Sequence, residues 1–193
     1  MKSFRTFVAI PLENDLRRRL GEAIDRLAQD GDGVKWVPKD QLHLTLKFLG
    51  DVENVELARV CEAAQTVCDS HEPFSVDSTG LMPFPTAHRP RMVAANIVDD
   101  SGALVRLVNG LEDAYADLGF KREPRDYRPH LTLGRCRGGS RRLSPAVVER
   151  IEPWSSSDFG ELGIDRVELI SSVLDNAGPT YHVIDTIVLG EDT

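Results

Sequence analysis

The sequence predicts a two-lobed fold of β-sheet plus helices, its lobes facing each other about a pseudo-two-fold axis. Two observations carry this. Short β-type runs alternate with amphipathic helical segments along the whole chain, and the tetrapeptide His-Leu-Thr-Leu occurs at 43–46 and again at 130–133, 87 residues apart. A period this long does not belong to a solenoid of small repeats. It places one such strand in each of two similar lobes within a single domain spanning 1–193.

Each element can be justified in turn. SFRTFVAI (3–10) reads as a strand, and Glu13 to Ala28 as a helix with Leu16, Leu20, Ile24 and Leu27 on one stripe. After the turn DGDG (30–33), VKWV (34–37) and HLTLKFL (43–49) read as strands. In the second of these Leu42, Leu44, Leu46 and Phe48 alternate with His43, Thr45 and Lys47, so Phe48 is assigned to the apolar face and Lys47 to the chemical one. A second helix from Asn54 to Asp69 carries Leu57, Val60, Cys61, Ala64, Val67 and Cys68. The strand FSVDST (74–79) leads to a Pro-rich loop, LMPFPTAHRPR (81–91), placed at a pocket rim. MVAANIV (92–98) is strand-like, and Ser101 caps a helix bearing Leu104, Leu107, Val108, Leu111, Tyr115 and Leu118, which ends near Gly119. HLTLGRC (130–136) repeats the earlier alternation. SPAVVERI (144–151) has a Ser cap and a Pro at the first helical position. IDRVELISSVL (164–174) and PTYHVIDTIVLG (179–190) read as two strands meeting around Asp175, Asn176, Ala177 and Gly178.

The composition narrows the function classes. With 41% hydrophobic and 28% charged residues, the chain can bury a core and is not of disordered type. The opening MKSFRTFVAIPLENDLRRRL has only a short apolar stretch before a charged helix, which predicts no signal peptide. No run is long enough to span a membrane. Cys61, Cys68 and Cys136 lack metal-ligand spacing, and free thiols in a reducing cytoplasm are the simplest account. An acidic chain of this kind is compatible with a monomer. A net charge of −8 argues against broad binding to long nucleic acid. Between Lys121 and Arg142, however, eight basic residues stand against Glu123 and Asp126, so this stretch carries +6 and the remainder −14. A solvated surface loop is the ordinary reading of such a run; its overlap with His130 points instead to a local anion site.

Side chains at i and i+2 of a strand share a face, so His43 points with Thr45 and His130 with Thr132. Were the two strands central neighbours in a concave sheet, two imidazoles and two hydroxyls would converge on a pocket suited to a tetrahedral phosphate. In-line displacement at phosphorus needs a base on the attacking oxygen, an acid on the leaving oxygen, and donors for the non-bridging oxygens. Histidine, with an ordinary pKa of about 6.5, can play either proton-transfer part. An ancestral duplication kept for packing would explain the leucines but not the outward histidines. Two histidines can also ligate zinc, yet neither motif has an adjacent carboxylate or cysteine to complete a ligand set. A noncatalytic module binding RNA ends or nucleotides through the basic stretch is the alternative from another class. Trp36 and Phe84 are candidates to stack on a base, and His88 to touch ligand; His71 and His182 read as solvated or structural.

The chain resembles the RNA 2′,3′-cyclic phosphodiesterases, also called 2′-5′ RNA ligase-like proteins, of the two-histidine phosphoesterase superfamily. The resemblance rests on FVAIPL (7–12), VKWVPKDQLHLTLKFLGDV (34–52), GLMPFP (80–85) before PR (90–91), LGF (118–120) followed by YRPHLTLGR (127–135), and LISSVLDNAGPTYHVI (169–184). It implies a bilobal α+β fold, two antiparallel sheets lining a central cleft with helices on the outside. It further implies an enzyme that opens 2′,3′-cyclic phosphates on RNA ends to 2′-phosphates without metal or cofactor. His43 would be the general acid on the 3′ oxygen and His130 the base that activates water. Thr45, Thr132 and Arg135 would contact the phosphate. Beside the resemblance, the place of Lys47 on the chemical face and of Phe84 in the loop at the rim makes both candidates to approach the nucleotide. Enzymes that join or cleave 2′,5′ linkages share the same two histidines and remain an alternative. In the strand after the PR pair, Ala94 and Ala95 stand where many relatives carry a large aromatic, which implies a roomier or differently stacked base pocket.

Overall fold

The computed structural model describes residues 3–137, 142–174 and 179–190. The described residues form β1 (Ser3–Pro11), α1 (Asn14–Leu27), β2 (Val34–Trp36), β3 (His43–Glu53), α2 (Leu57–Asp69), β4 (Phe74–Phe84) and β5 (Met92–Val98), then α3 (Ala103–Asp117), β6 (His130–Cys136), α4 (Pro145–Ile151), β7 (Asp158–Ile164), β8 (Arg166–Leu174) and β9 (Pro179–Val188). The strands make two antiparallel sheets, ordered β3-β1-β8-β9 and β2-β6-β5-β4-β7. Apart from β2, the second order copies the first, with β6, β5, β4 and β7 standing for β3, β1, β8 and β9. The repeat in the sequence is therefore a repeat of topology. It is not a division of the chain into halves, because β8 and β9 complete the sheet begun by β1 and β3.

The helices form where apolar residues recur at helical spacing. Leu16, Leu20, Ala23, Ile24 and Leu27 of α1 are buried, as are Leu104, Leu107, Val108, Leu111 and Tyr115 of α3. They join one continuous core with Leu44, Leu46, Leu131 and Leu133, the leucines of the motif strands. The helices thus pack on the sheet faces that the histidines do not use. Ser144 caps α4 through its Oγ, which accepts from the Val147 N–H, with Pro145 following as anticipated. At α3 the boundary residue is Gly102, at φ 70°, and Ser101 acts one position earlier by accepting from the Ala103 N–H. None of the helices among the described residues is long and apolar enough to cross a membrane.

Three expectations are corrected. The Pro-rich loop is shorter, because Leu81–Phe84 continue β4 and pair with Met92–Ala95. Pro83 is tolerated there because the other neighbour, β7, stops pairing at Thr79, leaving that side of β4 an edge. The strand placed at 164–174 is β8, which begins at Arg166 after a break at Asp165; Ile164 ends β7, an additional strand of the other sheet hidden in the sequence by Gly160 and Gly163. The motif strands are not neighbours in one sheet: β3 is an edge of the first and β6 lies inside the second. They nevertheless come together across the cleft, with Cα atoms within 8 Å. The turn around Asp175–Gly178, and Arg141 of the basic stretch, lie outside the described residues.

Candidate active site

The same irregularity shapes both motif strands. Along β3, Ala9 stands opposite Thr45 and Val8 opposite Lys47, so Leu46 is an extra residue; along β6, Ala94 stands opposite Thr132 and Val93 opposite Gly134, so Leu133 is extra. Before each bulge the i, i+2 rule holds, with Leu44 and Leu131 fully buried and His43, Thr45, His130 and Thr132 partly open. After it the parity inverts. Leu46 and Lys47 are both buried and Phe48 is 60% exposed; Leu133 and Gly134 are both buried and Arg135 is exposed. The fifth residue after each histidine thereby enters the cleft. This overturns the assignment of Phe48 to the core and of Lys47 to the chemical face.

The Lys47 ammonium is 2% exposed and donates to Glu112 of α3 at 2.7 Å and to the Lys121 carbonyl at 3.1 Å. Replacing Lys47 with Met leaves the Glu112 carboxylate, 14% exposed, without its ion partner. We expect a loss of about 2 kcal/mol of stability by urea unfolding, since water reaches that carboxylate in part. A change under about 0.5 kcal/mol would mean that the pair contributes nothing net.

Each catalytic candidate is held by its own strand lead-in. The Nδ1–H of His43 donates to the Gln41 carbonyl and that of His130 to the Arg128 carbonyl, both at 2.7 Å. A carbonyl can only accept, so both rings carry their proton on Nδ1 when neutral and leave Nε2 for chemistry. His43 packs between Phe7, centroids 5.0 Å apart, and the edge of Tyr181 at 5.4 Å. His130 stacks on Phe84 at 4.0 Å and 20°, and the Arg128 guanidinium also lies over that ring, 5.0 Å from its centroid. Burial pushes both imidazoles below their ordinary pKa; the carbonyl bonds oppose this, and the Arg135 charge adds to it. Arg135 in turn donates to Thr132 Oγ at 3.4 Å.

The cleft consists of two cavities, of about 520 and 460 Å³, that share Thr45, Phe48, Thr132 and Arg135. His43 lines the first and His130 the second. Five predicted site residues, His43, His130, Thr45, Thr132 and Arg135, are thus brought to one place. Lys47 and Phe84 also line the second cavity, but Lys47 is engaged by Glu112, and Phe84, 8% exposed, is a platform for His130 with little face left for a base. Sequence reasoning missed Phe48, Arg5 and Tyr181, which line the first cavity. No local pattern could have found Arg5 and Tyr181, since β1 and β9 deliver them through sheet pairing alone. Ala94 and Ala95 are fully buried, so no base pocket opens there. Trp36 packs against the core and donates through Nε1 to Asp32, and His88 is an exposed loop residue. The thiols of Cys61 and Cys68 are pushed by burial up to about 11 and about 12, which makes them poor nucleophiles. No group of three His, Cys, Asp or Glu side chains suited to a metal ion occurs among the described residues.

Comparison with known proteins places the chain in a family. A family model described as LigT like phosphoesterase matches residues 10–93 and again 97–181, each match containing one His-Leu-Thr-Leu. The chain is 34% identical over 177 residues to a protein of Archaeoglobus fulgidus named RNA 2′,3′-cyclic phosphodiesterase, an alignment covering 92% of this chain and 96% of the relative. A protein of the same name from Methanothermobacter thermautotrophicus is 33% identical, over 92% and 94% of the two chains. Among solved structures, a Thermus thermophilus protein superposes with a TM-score of 0.80 at 27% identity, covering 98% of this chain and all of the other. Escherichia coli LigT complexed with 3′-AMP has the same fold, at a TM-score of 0.79 and 20% identity, over 98% of this chain and all of the other. With both halves of its cleft matched by the model and its relatives aligned almost end to end, the chain belongs to the LigT-like phosphoesterase family.

Proposed function

We propose that this protein hydrolyses the 2′,3′-cyclic phosphate at the end of an RNA to a 2′-phosphate, by acid–base catalysis between His43 and His130. The observation that carries the reading is that two imidazoles, each with Nδ1 tied to a backbone carbonyl, flank a common space lined by two threonine hydroxyls and one guanidinium. The relatives' name supplies the substrate class.

In the proposed reaction His130 Nε2 accepts a proton from water as its oxygen attacks phosphorus. His43 Nε2 gives its proton to the 3′ oxygen as the P–O3′ bond breaks. Thr45, Thr132 and Arg135 donate to the non-bridging oxygens, where negative charge accumulates. The residues' own protons suffice, so turnover proceeds without a metal or cofactor. Every group comes from one chain, so a monomer is sufficient and both lobes act as one catalytic unit.

The test is incubation with a short RNA ending in a 2′,3′-cyclic phosphate, in excess EDTA, with chromatography to separate 2′- from 3′-phosphate. Accumulation of the 2′-phosphate supports the reading, whereas a 3′-phosphate product reverses the roles assigned to the bridging oxygens. No turnover by folded protein rejects the reading.

The pH dependence follows from the depressed imidazoles. The free enzyme needs one neutral and one protonated ring, and both hold their protons less tightly than an ordinary histidine. As pH rises through these lowered values the acid loses its proton, and as pH falls through them the base gains one. A plot of kcat/KM should therefore be bell-shaped with its maximum on the acid side of about 6.5. A maximum at about pH 8 or above, with chemistry rate-limiting, would contradict the assignment.

A further inference from the structure

The two cavities differ in what they offer. The first has His43 backed by Phe7 and Tyr181 and, besides Arg5 and Arg135, no charged residue. The second runs between α3 and the segment 121–128, and its charged lining is six basic residues against three acidic ones. Of the basic ones, Lys47 is paired with Glu112 and Arg122 with Asp113. Lys121 and Arg125 have no hydrogen-bond or ion-pair partner for their charged groups among the described residues.

The segment that carries them is exposed yet fastened. The Lys121 carbonyl accepts from the Lys47 ammonium, and the Glu123 N–H donates to Glu112 at 3.2 Å. The Tyr127 hydroxyl donates to the Thr45 carbonyl at 2.9 Å, and Arg128 donates to the Pro85 carbonyl at 2.9 Å. Two unpartnered cations are thus held at the wall of a cavity that opens onto the shared Thr45, Thr132 and Arg135 space.

A nucleotide whose cyclic phosphate sits at that shared space has two other substituents to place. The base leaves the ribose at C1′ and the chain at C4′, on either side of the ring oxygen. The aromatic-backed cavity suits the base. We infer that the cavity between α3 and residues 121–128 receives the phosphodiester on the 5′ side of the reacting nucleotide, with Lys121 and Arg125 as its cationic partners. This rests on the reaction proposed above, and it makes the protein selective for the end of a chain over a free cyclic mononucleotide. Both cations are exposed and neither lines the cavity that holds His43, so their loss should spare the chemistry.

The experiment compares wild type with the double variant Lys121→Ala/Arg125→Ala on adenosine 2′,3′-cyclic phosphate and on a dinucleotide ending in that same cyclic residue. Wild type should prefer the dinucleotide by about tenfold in kcat/KM, a preference that shrinks as salt is raised. The variant should lose about tenfold on the dinucleotide while its turnover of the mononucleotide stays within about twofold, which also shows that it is folded. An equal loss on both substrates, or a wild type that does not distinguish them, would overturn the inference. Wild-type turnover of neither would reject the phosphodiesterase reading and this inference with it, an outcome distinct from the other two.

Discussion

Replacing either His43 or His130 with alanine should lower kcat on a cyclic phosphate by about 10²–10⁴-fold, the usual contribution of a positioned acid or base. In this cleft neither loss can be covered by a neighbour. Arg135 is a cation that does not give up its proton, and the threonine hydroxyls are far too weakly acidic or basic near neutral pH. The double variant should fall little below the worse single one, because an acid without its base partner has already lost most of its effect. Stability separates this from misfolding. Each ring gives up one backbone hydrogen bond and its aromatic packing, so both variants should unfold at a somewhat lower urea midpoint yet keep one cooperative transition, which shows that they are folded when assayed. Retention of more than about a tenth of wild-type kcat by either variant would remove that histidine from the proton transfers.

The largest stability loss is expected at Gly80. Its φ is +46°, and a Cβ built on it would lie 2.2 Å from the Ser155 carbonyl oxygen, a backbone atom that cannot swing aside. The Gly80 N–H also donates to the Ser157 carbonyl at 2.7 Å, so the two segments are tied together where the clash would part them. Gly80→Ala should cost about 4 kcal/mol, combining left-handed strain with overpacking. Gly31→Ala is the control: φ is +76° there but a Cβ would meet nothing within 4 Å, so only the strain of about 1 kcal/mol remains. Equal urea midpoints for the two variants would show that the close approach at Gly80 has no energetic consequence.

These two outcomes bear on different kinds of information. The placement of His43 and His130 could be read directly from the chain, because two identical tetrapeptides with polar residues at i and i+2 need only a strand to bring each histidine beside its threonine. The helical stripes of α1, α2 and α3 were legible for a similar reason, since burial of one face demands the 3.6-residue period whatever the partner. Local rules failed where a nonlocal partner altered the period. The extra Leu46 against β1 inverted the faces of Lys47 and Phe48, and nothing in HLTLKFL announces that Val8 and Ala9 will pair around it. The strand β7 escaped notice because its two glycines weaken its own preference, while Phe159, Leu162 and Ile164 still bury themselves against β4 and the helices.

The sequence by itself determined the chemistry on offer: the two His-x-Thr pairs, the amphipathic elements that bury the intervening leucines, and a local surplus of positive charge in an acidic chain. The tertiary structure decided where that chemistry points. Only the pairing of distant strands sets β3 and β6 against each other from different sheets, inserts the bulges that turn Phe48 and Arg135 into the cleft, and brings Arg5 and Tyr181 to its wall. The physical reason is that a side chain's type and spacing along its own strand are local properties. Its face after a bulge, its charged partner and its burial depend on a register chosen by residues far away in the chain.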